Sequence, residues 1–151
     1  MSAFTNYSEE QLAEYLLSGV TLPSTGFPSS SGNWWVALHT SDPGDAPTTT
    51  SEPSTNVWSN YVRQAVPRTT AATAWSTAAS EAGGGMRKAN STTVNFGTAT
   101  LTSDITVNHV SLWASSSAGN CWFQGALSTT KTIQNGDPVT FPTTTLGIAF
   151  R

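Results

Sequence analysis

The chain has 151 residues, the length of a single domain, and it carries a net charge of −3 with only 10% charged residues. So low a charge argues against nucleic-acid binding, which needs clustered basic residues, and no apolar run is long enough to predict a membrane span. The single cysteine, Cys121, excludes an internal disulfide and a multi-cysteine metal site, so we expect folding in a reducing cytoplasm.

The N-terminal segment predicts one short amphipathic helix. Ser8 and Gln11 have the spacing of a capping box with Ser8 as the N-cap, and Gly19 stands where a C-terminal cap is expected. A helix of about three turns is marginal alone in water, so its apolar stripe must pack. The partner is either the chain's own β-domain or a neighbouring subunit. The stripe consists of Leu12, Tyr15 and Leu16.

Proline, glycine and serine predict a linker over residues 20–32. We therefore divide the chain into an N-terminal helical arm and linker, residues 1–25, and a single β-domain, residues 26–151. The first strand is predicted over residues 34–39 and ends at an Asp-Pro-Gly turn. A polar loop with prolines continues to about residue 55, and so long a connection is usually functional or mobile.

The best-supported element is a β-hairpin over residues 105–127, in which two alternating apolar runs flank a connector, residues 115–120. We expect Val110, Leu112 and Phe123 to be core residues and the connector to lie at the surface. Several short strands separated by turns predict an all-β fold. The expected architecture is an antiparallel β-sandwich, of the jelly-roll or Ig-like type, with a short N-terminal amphipathic helix. Further strands are predicted over residues 57–66, 92–96, 139–141 and 146–150.

No catalytic site is evident from the residues. His39, Asp42 and Asp45 could bring three metal ligands together. However, an aspartate before Pro-Gly is typical of a turn, so we favour a structural role. His109 could pair with Asp104 and a serine as in a hydrolase, but no nucleophile-elbow glycine pattern accompanies them. We expect no enzyme activity, no bound metal and no cofactor.

Tryptophan is enriched, with six residues in the chain. Aromatic side chains anchor protein interfaces and can stack on sugars. Trp58 and Trp75 stand in polar surroundings, so we assign them to a candidate interface together with the helix stripe. Trp34 or Trp35, together with Trp113 and Trp122, is expected to fill the core.

Four blocks stand in order along nearly the whole chain. The first block is the helix that ends with residues 16–19. The second and third blocks are residues 34–43 and 61–66. The fourth block joins residues 109–113 and 123–127 and continues into residues 131–137. Together they resemble a family of small bacteriophage structural proteins usually labelled tail-fibre proteins. The chain departs from that pattern by extra proline and serine between Pro43 and Thr55. The resemblance implies a virion component without catalytic residues, and it leaves open whether the protein belongs to the tail or decorates the head.

We therefore expect a non-enzymatic virion structural protein, most readily a tail or tail-fibre component. It would assemble in the host cytoplasm through contacts with other virion proteins and would form a homo-oligomer, without a nucleic-acid or membrane partner. One alternative is a capsid decoration protein. A second is a carbohydrate-binding module for a host-surface glycan, which exposed aromatic residues beside polar loops would favour. A third, a hydrolase, would need His39 or His109 in a cleft beside a partner with a shifted pKa.

Overall fold

The computed structural model describes residues 3–19, 21, 32–68, 73–80 and 85–150. Most of the predicted linker therefore lies outside the described residues. In chain order the elements are β1 (Ala3–Phe4), α1 (Asn6–Ser18), β2 (Asn33–His39), a 3-10 turn (Thr49–Ser51), β3 (Gln64–Pro67), β4 (Ala79–Ser80), β5 (Met86–Ala89), β6 (Val94–Thr98), β7 (Ile105–Trp113), β8 (Cys121–Ile133), β9 (Pro138–Phe141) and β10 (Gly147–Phe150).

These strands form antiparallel sheets that share one apolar core. A five-stranded sheet has the order β1-β8-β7-β2-β3, a three-stranded sheet has the order β10-β5-β4, and β6 pairs with β9. Leu112 of the large sheet, Phe96 of β6 and Ile148 of β10 belong to the same buried cluster. The prediction of an all-β antiparallel sandwich with one N-terminal helix is confirmed.

The helix begins one turn earlier than predicted. Thr5, not Ser8, is the N-cap: Thr5 Oγ1 accepts a hydrogen bond from Ser8 N at 3.3 Å, and Ser8 Oγ accepts one from Thr5 N at 2.9 Å. The two hydroxyls also donate to β8, Thr5 to the carbonyl of Cys121 at 2.6 Å and Ser8 to that of Trp122 at 2.7 Å. These buried bonds select the earlier start. Gly19 caps the C-terminus as predicted, with a φ of 70°.

The strand predictions are accurate where the apolar pattern is regular and fail where it is not. β2, β6, β9 and β10 lie within two residues of their predicted positions. Of the strand predicted over residues 57–66, only Gln64–Pro67 forms, while Trp58 makes an isolated bridge with Leu101. β5 was not predicted, because it directly follows a run of glycines that indicated a flexible break.

The predicted hairpin is present as β7 and β8, although β8 runs on to Ile133. Val110 and Leu112 are buried, as predicted, and residues 116–119 of the connector are exposed. Phe123 is only half-buried, so its assignment to the core is wrong in part.

A β-bulge explains this difference. Leu112 pairs with Phe123 and Trp113 pairs with Cys121, which leaves Trp122 as an extra residue in β8. The bulge interrupts the alternation of side chains between the two faces. Trp122 and Phe123 therefore both contact the main core, whereas Cys121 packs with Trp113 on the opposite face.

Candidate functional site

His39 lies inside the protein and forms no accessible site. Its ring nitrogens are within hydrogen-bonding distance of two serine hydroxyls, Nδ1 of Ser51 at 2.8 Å and Nε2 of Ser111 at 2.6 Å. Ser111 Oγ also accepts a hydrogen bond from Trp113 Nε1 at 2.6 Å. Burial, together with the nearby Arg63 guanidinium, lowers the pKa of His39 to about 4. The imidazole is therefore a neutral, structural group at neutral pH.

This low pKa predicts a pH-dependent stability. A histidine in the unfolded chain has a pKa of about 6.5. Between pH 6.5 and pH 4 the unfolded chain therefore binds a proton that folded His39 does not. The free energy of unfolding should fall by roughly 3 kcal/mol as the pH falls from about 6.5 to about 4. Urea denaturation at several pH values measures this change.

Two variants isolate the contribution of His39. His39→Gln should lack this component of the pH dependence, whereas His109→Gln, which removes the other histidine, should retain it. Parallel pH profiles for the wild type and His39→Gln would contradict the assignment.

The predicted metal ligands are not brought together. Asp42 Oδ1 accepts a hydrogen bond from Gly44 N at 2.8 Å, which closes the predicted turn, and its other oxygen lies 3.8 Å from Nε2 of His109. Asp45 is exposed, and its carbonyl accepts a hydrogen bond from the backbone of α1. Among the residues that the structure describes, no three His, Cys, Asp or Glu side chains group as metal ligands would.

The two tryptophans assigned to an interface lie in the core instead. Trp58 is 0% exposed and Trp75 is 8% exposed, and both belong to the main buried cluster. Trp58 contacts the rings of Tyr61 and Phe96. The indole N–H groups of both tryptophans lack a hydrogen-bond partner within the described part of the chain. Their apolar bulk therefore fills the sandwich, and they are not available to a partner.

Unlike the two tryptophans, the C-terminal part of the helix stripe is exposed, because the end of α1 projects from the sandwich. Leu12 is half-buried, but every helical residue from Ala13 onward is exposed. Tyr15 is half-exposed, and Leu16 and Leu17 are 72% and 86% exposed. Leu17 was missed, because helical periodicity places it outside the stripe. A projecting helix exposes all of its faces, so its last turn forms one apolar surface.

A buried ion pair, also missed by sequence reasoning, holds the hairpin connector. Arg63 Nη2 and Glu52 Oε1 are 2.6 Å apart, with side chains 2% and 10% exposed. Arg63 Nη1 donates to the carbonyls of Ser115 at 2.9 Å and Ala118 at 3.2 Å. Its guanidinium carbon lies 4.0 Å above the Trp113 ring. The connector is thus at the surface, as predicted, and the buried side chain of Arg63 holds it in place.

A groove of about 750 Å³ opens between the C-terminal part of β8 and strands β9 and β10. Its base is apolar and includes Val110, Ile133 and Leu146, which are all buried. Polar side chains of β8, among them Ser128 and Thr129, stand at its edge. The groove and the end of α1 are thus two accessible surfaces of apolar character within the described part of the chain.

Comparison with known proteins assigns the chain to a family. A family model described as "Podophage GP4 fiber I protein gp80" matches residues 3–149. No match was found among curated proteins. Among the described residues, no helix combines the length and the apolarity that a membrane crossing requires. The match covers nearly the whole chain and agrees with the resemblance seen in the sequence. The chain belongs to this family of podophage fibre proteins and is a structural component of the phage virion.

Proposed function

We propose that the chain is a non-enzymatic component of the phage tail fibre, which joins other virion proteins and further copies of itself. The observation that carries this proposal is the exposed apolar end of α1, in a chain whose family is named for a fibre protein. Thr5 and Ser8 anchor the start of α1 on β8 through buried hydrogen bonds. An apolar projection held in a defined position is suited to contact a partner protein.

The side chains that could carry chemistry make structural contacts instead, which supports a structural role for the protein. His39 bonds two serines inside the core, and Asp42 closes a turn. Burial raises the pKa of Cys121 to about 12, so its thiol stays protonated and unreactive. A hydrolase would require His39 or His109 in an open cleft, but His39 is buried. His109 lies beside Asn108 and Asp42, while Asp104 accepts a hydrogen bond from Gln134.

The tryptophans do not favour the carbohydrate-binding alternative. Five of the six are buried, and Trp35 is half-buried. A sugar stacks on an accessible ring face, which the five buried tryptophans do not offer. The single buried cysteine is compatible with assembly in the reducing cytoplasm of the host, which we include in the proposal.

The tail assignment can be tested on purified phage particles. Heads and tails are separated, and the chain is quantified in each fraction by mass spectrometry against the major capsid protein. We expect the chain to be enriched with the tails and to be lost from heads that lack tails. A chain that stays with tail-free heads, in numbers comparable to the capsid protein, would be a decoration protein and would overturn the tail role.

A further inference from the structure

The groove beside β8 has a cationic rim above its apolar base. Arg87 and Lys131 stand at this rim, and neither forms an ion pair within the described chain. Arg87 Nη2 donates to the carbonyl of Thr144 at 2.9 Å. Asp137, the acidic residue of the lining, accepts a hydrogen bond from Gln134 N at 2.9 Å. The rim therefore carries more positive than negative charge.

The last turn of α1 has the complementary character. Leu16 and Leu17 are strongly exposed. The carbonyl end of a helix acts as roughly half a negative charge, Glu14 adds a full one, and no basic residue stands in the last turn. Lysine and arginine normally stabilise such an end. In this chain they are absent from the helix and present at the groove.

The helix does not occupy the groove of its own chain. α1 is anchored at the N-terminal end of β8, whereas the groove follows residues 126–133, and no residue of α1 lines it. The outer edge of β8 pairs with β1 only at Phe123 and Gln124. Along the groove this edge carries Lys131, and a lysine on an edge strand discourages the addition of another strand. A helix is therefore the better occupant.

We infer that the C-terminal turn of α1 from one copy docks into the groove of a second copy. Leu16 and Leu17 enter the apolar base, while Arg87 and Lys131 face Glu14 and the carbonyl end of the helix. The groove volume lies within the roughly 300–1,000 Å³ of pockets that enclose small ligands, so it admits a few side chains and not a whole helix. The contact joins two different surfaces, so its repetition builds a ring or a filament. The inference rests on the proposed fibre function, in which several copies assemble.

Sedimentation velocity of the full chain over a concentration series tests the apolar part of this contact. We expect the wild type to self-associate. The double variant Leu16→Ser/Leu17→Ser should have a dissociation constant at least about tenfold higher, because burial of leucine drives docking. Val62→Ser, which changes an exposed apolar residue elsewhere, should behave as the wild type. A wild type that stays monomeric, or a helix variant that associates normally, would overturn the inference.

Charge reversal tests the electrostatic part. Glu10 and Glu14 are exposed and share one face of α1, so Glu10→Lys/Glu14→Lys reverses the charge of that face, and Lys131→Glu reverses the charge of the rim. We expect each variant to be monomeric alone and an equimolar mixture of the two to associate, because each helix then meets a rim of opposite sign. Lys88→Glu changes a cation that does not line the groove and should have no effect. Failure of the mixture to associate, with both variants folded, would refute the pairing.

Cross-linking identifies the surfaces in contact. The native Cys121 is buried, so introduced cysteines react alone. A mixture of Leu17→Cys and Thr129→Cys chains should form disulfide-linked dimers, whereas Leu17→Cys mixed with Ser116→Cys, on the connector, should not. Dimers of Leu17→Cys with itself would indicate helix–helix pairing and would overturn docking in the groove.

Particle location and self-association are measured separately. A chain found in tails that is monomeric under all conditions would retain the proposed function and overturn the inference. A chain that is found on heads and associates through these surfaces would overturn the proposed tail function and retain the docking inference.

Discussion

Truncation of Trp122 to alanine is expected to lower the free energy of unfolding by about 3–5 kcal/mol, through lost transfer energy and the cavity left behind. Trp122 is 1% exposed, and its ring forms edge-to-face contacts with Tyr7 and Trp34, at centroid distances of 5.4 Å and 6.1 Å. A single domain is stable by only about 5–15 kcal/mol. The variant should therefore be close to unfolding, and urea denaturation measures the change.

Phe123→Ala is the matched control. Phe123 is half-buried between Phe4 and Trp34, so its truncation should destabilise the protein clearly less than that of Trp122. A larger effect at Phe123 would mean that β8 has the unbulged register, in which Phe123 faces the core and Trp122 points to the opposite face. This pair of variants therefore tests the bulge directly.

Glu52→Ala is expected to have an effect of similar size, about 3–5 kcal/mol, because it leaves the charge of Arg63 buried without its partner. Glu52 accepts hydrogen bonds from Nε and Nη2 of Arg63, and also one from Tyr61 Oη at 3.3 Å. The guanidinium cannot turn to water without releasing the carbonyls of Ser115 and Ala118. Chemical denaturation at neutral pH measures the loss.

A double variant separates the ion pair from simple packing. Glu52→Leu/Arg63→Met removes both charges and keeps apolar volume, so it should be less destabilised than Glu52→Ala alone. Amide hydrogen exchange in residues 116–119 should rise in both variants, because both loosen the connector. Equal stability of Glu52→Ala and the wild type would show that Arg63 does not depend on Glu52.

Local chemistry was sufficient for much of the fold. The apolar run of β2, the alternation of β7, the Asp42 turn and the Gly19 cap were all predicted, because each depends on residues within a few positions of one another. The same patterns predicted the all-β class and the N-terminal helix. Of the predicted helix stripe, Tyr15 and Leu16 are exposed and Leu12 is half-buried, and the role of the stripe as an interface stays a prediction.

The start of α1 depends instead on contacts between distant parts of the chain. Thr5 rather than Ser8 caps the helix, because Thr5 bonds a carbonyl 116 positions away in β8. The local pattern favours Ser8, because Gln11 stands three positions later as in a capping box, so only the contacts with β8 reveal that Thr5 is the cap.

The make-up of the buried interior and the groove beside β8 were likewise decided by tertiary structure. Trp58 looked like a surface residue because its sequence neighbours are polar, yet strands from elsewhere in the chain cover it completely. The Glu52–Arg63 pair joins two loop residues with no shared periodicity, and the groove beside β8 exists only where that strand passes β9. Composition and periodicity determined the class of fold and the helix, while four blocks of sequence carried the family resemblance. Burial, ion pairing and the shape of the docking surfaces followed from long-range packing, which no local stretch of residues encodes.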